Sequence, residues 1–92
     1  MIQNFKHEGL ELFFKTVRKT GIQAKHVKRL KIILGRLNAA TSPDDMNLPG
    51  LFLHHLSGNR AKIWSVRVSG NWRVTFGFNG AHAKVVDYED YH

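Results

Sequence analysis

The sequence contains no cysteine, which excludes disulfide bonds, thiolate metal sites and cysteine nucleophiles. It has no long apolar run, and Lys6 follows directly after residues 1–5, so we expect neither a secretory signal nor a membrane span. The cytoplasm is therefore the expected location. Ninety-two residues are too few for a multidomain enzyme, and a hydrophobic content of 42 % predicts one folded domain over residues 1–92.

Acidic residues are scarce as well. Seven Asp and Glu stand against 14 Lys and Arg, which gives a net charge of +7. A charge of this sign favours a polyanionic partner, nucleic acid before an acidic protein or an anionic membrane surface. The cations are concentrated in residues 1–36, whereas the last six residues carry the carboxylates of Asp87, Glu89 and Asp90.

Two helices are predicted in the N-terminal half. Apolar residues recur at helical spacing from Leu10 to Val17, and Gly21 is expected to end this helix. A second helix is predicted from about residue 23 to residue 40, with an apolar face that includes Leu30 and Leu34. The opposite face carries Lys25, Lys28, Arg29 and Arg36. This basic face is either a solvated surface or a docking face for phosphates or a protein partner.

The C-terminal half has the alternation of apolar and polar residues that is typical of strands. Residues 42–45 predict a single helical turn, residues 52–56 an extended segment, and residues 64–68, 72–78 and 82–87 three strands joined by hairpins. Asn79 and Gly80 form the dipeptide most favoured in a type I′ turn. Residues 2–5 alternate weakly, as a short leading strand does. The sequence therefore predicts an α+β fold with both helices on one face of the sheet.

The two faces of the predicted sheet differ in chemistry. The aromatic residues of the strands are expected in the core, against the apolar faces of the helices: Trp64, Trp72, Phe76 and Phe78. The other face carries Arg67, Arg73 and Thr75, and a concave polar face of this kind suits RNA.

Residues that could transfer protons or bind phosphate are concentrated at the strand ends and turns. They are His54, His55, Ser57, Arg60, Lys62, Arg73, Asp90, Tyr91 and His92. RNA cleavage without a metal needs a base for the 2′-hydroxyl, a cation for the phosphorane and an acid for the departing 5′-oxygen. Histidine is suited to either proton transfer, a carboxylate such as Asp90 can orient it, and Arg73 or Arg60 can clamp a phosphate.

The remaining histidines have simpler interpretations. His7, His26 and His82 are expected to be surface residues. A zinc site formed by His54, His55 and His92 matches no recognised ligand spacing, so we expect no metal and no cofactor.

Several motifs of this chain resemble one family. They are LHHLSGNR at 53–60, IWSV at 63–66, GNWRVTF at 70–76 and VDYEDYH at 86–92, and the opening MIQNFKHEGL is also similar. The resemblance is to the HigB toxins of the RelE/ParE superfamily of bacterial toxin–antitoxin modules, and it covers essentially the whole chain.

The resemblance implies a RelE-like fold, with two N-terminal helices packed on a small, mainly antiparallel sheet. It implies a ribosome-dependent endoribonuclease that cuts the mRNA codon in the ribosomal A site and stops translation. The catalytic positions of the family transfer to His54, Asp90 and His92. The expected RNA and phosphate contacts are Arg60, Lys62, Arg73 and Tyr91.

The resemblance also implies partners. These are a HigA-like helix-turn-helix antitoxin, ribosomal RNA and mRNA. Operator DNA is expected to be bound only through the antitoxin complex, and no membrane is expected to be involved.

One position departs from the family pattern. The family usually has His-Pro-Leu-Lys-Gly-Asp-Arg where this chain has HHLSGNR at 54–60, so Ser57 replaces the catalytic lysine. Serine carries no positive charge. Either Lys62, Arg60 or His55 therefore takes over the role of the family lysine, or the toxin is weak. Two alternatives to the nuclease follow from the same resemblance: a gyrase-inhibiting toxin of the ParE type, and a catalytically weak RNA-binding module of the same fold.

Overall fold

The computed structural model describes residues 1–90. It contains the helices α1 (Glu8–Thr16) and α2 (Val27–Ala39), and the strands β1 (His54–His55), β2 (Trp64–Ser69), β3 (Trp72–Asn79) and β4 (His82–Asp90). Three short 3₁₀ helices lie at Ala24–His26, Pro43–Met46 and Gly58–Arg60. The strands form one antiparallel sheet in the order β1-β2-β3-β4. The predicted α+β fold, two helices packed on an antiparallel sheet, is confirmed.

The core lies between the helices and one face of the sheet. Leu10 and Phe13 of α1 are buried, and the fully buried residues of the sheet include Val66, Val74 and Phe76. α2 contributes Leu30, Ile33, Leu34 and Leu37. The prediction of an aromatic core is confirmed for Phe76 only.

The other three predicted core aromatics are only partly buried. Trp64 and Trp72 begin their strands and Phe78 stands next to the end of β3, so all three lie at the margin of the core. Trp72 packs there against Tyr88, with ring centroids 4.6 Å apart.

The end of α1 differs from the prediction. The helix stops at Thr16, and Val17 caps it in a left-handed conformation (φ 54°), with its backbone N–H donating to the carbonyl of Phe13. Gly21 has another role, because a Cβ atom there would lie 2.7 Å from the Cα of Gly9. The glycine is therefore required by the close approach of two backbone segments.

The extended segments also differ in length from the predictions. Strand β1 is only two residues long, since Phe52 has a φ of 51° that no strand accommodates. The last strand runs past residue 87 to Asp90, which pairs with Trp72. The predicted leading strand is reduced to two parallel bridges along β4, which join Ile2 to Ala83 and Phe5 to Val86.

Two side chains of the N-terminal half are more buried than expected. Arg29 was assigned to the basic face of the second helix, but its guanidinium donates to the backbone carbonyls of Gly50 and Arg67 and so ties α2 to the sheet. His26 was expected at the surface, but it is buried, and its Nδ1 lies 2.5 Å from the hydroxyl oxygen of Tyr88. Burial and the nearby charge of Lys25 lower the pKa of His26, which favours its neutral form.

No helix within residues 1–90 combines the length and the apolar composition needed to cross a membrane.

Candidate active site

The face of the sheet turned away from the helices, here called the outer face, carries two rows of polar residues. Directly paired residues of antiparallel strands project from the same face. The register pairs His54 with Ser65, Ser65 with Thr75, and Thr75 with Asp87. The next row contains Arg67, Arg73 and Glu89. The predicted polar face is therefore present, and it spans all four strands.

His54 and Arg73 line one cavity on the outer face. Its volume is about 460 Å³, and its walls are Phe52, Leu53, His54, Leu56, Ser65 and Arg73. His54 is exposed, whereas the Nε atom of Arg73 is buried and has no hydrogen-bond partner within residues 1–90. A histidine beside a guanidinium with an unused donor can bind a phosphate and move a proton near it.

Arg60 is held by a carboxylate of the sheet. Its Nη1 donates to Oε1 of Glu89 at 3.2 Å and its Nη2 donates to Oε2 at 2.7 Å, a two-point ion pair. The hydroxyl of Thr75 also donates to Oε2, at 2.5 Å. The hydrogen bonds from Arg60 lower the pKa of Glu89 below its ordinary value, although partial burial opposes the shift. Glu89 therefore stays ionised at neutral pH.

Sequence reasoning missed Glu89, because the acidic end of the chain is typical of a solvated surface. The available signal was the alternation of the last strand. Continued past Asp87, it places Glu89 on the same face as Asp87, opposite Arg73.

A second cavity of about 310 Å³ lies on the outer face and is lined by Lys6, Arg60, Ile63, Thr75, Val85 and Asp87. Thr75 and Arg60 form part of its wall, so the Glu89 network lies at the border of this cavity. Lys6 supplies a further exposed cation there.

The two adjacent histidines of β1 face opposite sides. His55 pairs with Trp64 and stacks on its ring, with centroids 4.2 Å apart and planes 14° from parallel. His54 projects from the other face, as alternation along a strand requires. The two histidines therefore do not converge on one position, and His55 is directed away from the outer face.

Ser57 and Lys62 lie in the loop between β1 and β2. Both are exposed, and Ser57 directly precedes the 3₁₀ helix Gly58–Arg60. Of the three residues considered as replacements for the family lysine, Lys62 is the one whose charge is carried by an exposed side chain close to the outer face. Arg60 is engaged by Glu89, and His55 stacks on Trp64.

Asp90 lies on the edge strand of the sheet farthest from the strand that carries His54. It is the last described residue of β4, is exposed and pairs with Trp72. Three inter-strand steps of about 4.8 Å separate β1 from β4, and the residue of β4 level with His54 is Asp87. The structure thus brings together His54 with Arg73, and Arg60 with Glu89. The predicted site residues Tyr91 and His92 lie outside the described residues.

A sequence model of the family described as RelE-like toxin of type II toxin-antitoxin system HigB matches residues 3–92. The chain belongs to this family. It is also similar to Endoribonuclease HigB of Proteus vulgaris, with 40% identity over 92 residues that cover 100% of both chains. The resemblance read from the motifs is thereby confirmed, and a HigB toxin of a type II system implies an antitoxin partner.

Proposed function

We propose that this HigB-family chain is an endoribonuclease that cuts mRNA in the ribosomal A site and so stops translation. Family membership and the full-length similarity to a protein named endoribonuclease support nuclease activity and do not favour a gyrase inhibitor. The observation that carries the proposal is the cavity that His54 and Arg73 share on the outer face.

The reaction uses groups that the chain itself supplies. A base removes the proton of the 2′-hydroxyl, the 2′-oxygen bonds to phosphorus, and the P–O5′ bond breaks as an acid protonates the 5′-oxygen. His54, Asp90 and His92 are proposed for these proton transfers. Arg73, which lines the same cavity as His54, is proposed to stabilise the negative charge of the phosphorane with its guanidinium.

The remaining contacts of the RNA are proposed along the same face, where Lys62 and Tyr91 bind phosphate or nucleotide. Arg60, the other residue expected from the sequence to contact phosphate, is engaged by Glu89 instead. The location that follows is the cytoplasm, where the ribosome and mRNA are found.

A HigA-like helix-turn-helix antitoxin is the proposed partner that neutralises the toxin, and operator DNA is bound only through their complex. Lys28 and Arg36 of α2, together with Lys25 of the preceding 3₁₀ helix, are exposed and provide a basic surface that fits either ribosomal RNA or an acidic part of the antitoxin.

Primer extension on mRNA from a purified translation system tests the proposal. We expect new 5′ ends only at codons occupied by ribosomes, and we expect them to be absent with an Asp90→Ala variant. Uncut mRNA at toxin concentrations that saturate the ribosome would contradict the nuclease assignment. Cuts in ribosome-free mRNA would contradict the A-site mechanism.

We expect Ser57→Lys to raise the cleavage rate about tenfold or more, because a lysine there restores a positive charge for the phosphorane. Single-turnover cleavage on programmed ribosomes measures the effect. Asn59→Lys is the matched control, since Asn59 is an exposed residue of the same loop and the substitution adds the same charge. An equal gain in both variants would mean that general attraction to RNA, and not the position of the charge, raises the rate.

A further inference from the structure

Among the residues that the structure describes, Arg60 is the side chain of the 57–62 loop that forms an ion pair with the sheet. Ser57, Gly58, Asn59, Ala61 and Lys62 are exposed, and Arg60 alone is partly buried. The backbone of the loop is closed at its base, where the Leu56 N–H donates to the Ile63 carbonyl at 2.9 Å. Beyond that base, the ion pair between Arg60 and Glu89 attaches the loop to the outer face.

Glu89, the partner of Arg60 in this ion pair, is held in place by the sheet. Glu89 lies within β4, opposite Arg73, and its carboxylate also accepts the hydroxyl proton of Thr75. Thr75 is only 1 % exposed and lies in the row that begins with His54. The carboxylate is therefore fixed by two strands of the sheet, and whatever it holds is fixed relative to the floor of the active site.

We propose that Glu89 is a positioning residue of the nuclease: through Arg60 it holds the 57–62 loop over the outer face beside His54. The catalytic part of this inference rests on the proposed function. The loop follows β1 directly and carries Ser57 and Lys62, so its position decides where these two side chains stand relative to the scissile phosphate. A displacement of about 1 Å in such groups can lower a rate a hundredfold.

Because of this ion pair, the two arginines of the outer face have different roles. Both terminal nitrogens of Arg60 donate to Glu89, which offsets the charge of this guanidinium. Arg73 has a buried Nε without a partner within residues 1–90 and lines the cavity of His54. In this proposal Arg73 binds the phosphate, whereas Arg60 holds the loop in position.

A double-mutant cycle on cleavage tests the inference, with Glu89→Gln, Arg60→Gln and the double variant. Each single substitution is expected to lower kcat by about ten- to a hundredfold, with KM for the programmed ribosome changed less than twofold. The double variant is expected to match the single variants, because either one already releases the loop. Glu11→Gln is the control, since it breaks an exposed ion pair with Lys15 at the same kind of distance, 2.8 Å, on α1.

Opposite effects of the two single substitutions on KM would indicate that Arg60 binds the phosphate directly. If Arg60 itself binds the phosphate and Glu89 only restrains it, Glu89→Gln frees the guanidinium and lowers KM, whereas Arg60→Gln raises KM. Opposite effects of this kind would overturn the inference. An unchanged kcat in Glu89→Gln would overturn it too.

Amide hydrogen exchange on the toxin without the ribosome separates this inference from the proposed function. Faster exchange over residues 58–61 in Glu89→Gln, with unchanged exchange in β2 and β3, would support the tether even if the wild-type protein cut no mRNA. Unchanged exchange in the loop would overturn the tether even if the wild-type protein proved to be an active nuclease.

Discussion

Replacement of His54 by alanine is expected to lower the rate of mRNA cleavage by about 10² to 10⁴ fold, the usual contribution of a side chain that transfers a proton. The side chain lines the same cavity as Arg73, so its loss removes proton transfer at the proposed position of the phosphate. Ribosome affinity should stay nearly unchanged. Single-turnover cleavage and co-sedimentation with ribosomes measure the two quantities separately.

His55 gives the matched control for this experiment. It is the adjacent residue of the same type, but it stacks on Trp64 on the opposite side of β1. His55→Ala is therefore expected to cut at close to the wild-type rate. Equal losses in the two variants, or an equal loss of affinity and cleavage in His54→Ala, would show that these histidines anchor the strand or the RNA and do not transfer protons.

The strands were predictable because their signals are local. Apolar and polar residues alternate through β2 and β3, and this pattern alone separates a core face from a polar face. A hairpin between β3 and β4 was predictable from Asn79 and Gly80, but the predicted type I′ turn was wrong. Asn79 pairs with His82, so the loop residues are Gly80 and Ala81, and only Gly80 has a positive φ (62°), as the first loop position of a type II′ turn does. Arg73 was likewise placed on the polar face by alternation.

The parts of the site that escaped prediction depend on contacts between distant residues. Arg60 and Glu89 are 29 positions apart in the chain, and no pattern within either segment shows that they meet. Helix α1 gives a second example, since a glycine near the end of an apolar repeat is typical of a helix C-terminus. The actual reason for Gly21 is its contact with Gly9, which only the folded chain shows.

This contact leads to a large expected effect on stability. We expect Gly21→Ala to lower the free energy of unfolding by about 1 to 3 kcal/mol, the usual cost of forcing atoms into a packed site. The new Cβ would lie 2.7 Å from the Cα of Gly9, and a backbone atom cannot move aside as the end of a flexible side chain can. Thermal unfolding measures the change, at about 4 to 8 °C per kcal/mol for a domain of this size.

Gly35 provides a control of opposite sign. It is exposed within α2, and a Cβ atom there meets nothing within 4 Å. Gly35→Ala is therefore expected to raise stability by about 0.4 to 1 kcal/mol, because alanine has less conformational freedom to lose on folding. Gly9→Ala should repeat the loss seen in Gly21→Ala, since its Cβ would lie 2.8 Å from the Cα of Gly21. If Gly21→Ala raised the melting temperature as Gly35→Ala does, the close approach of the two backbones would be wrong.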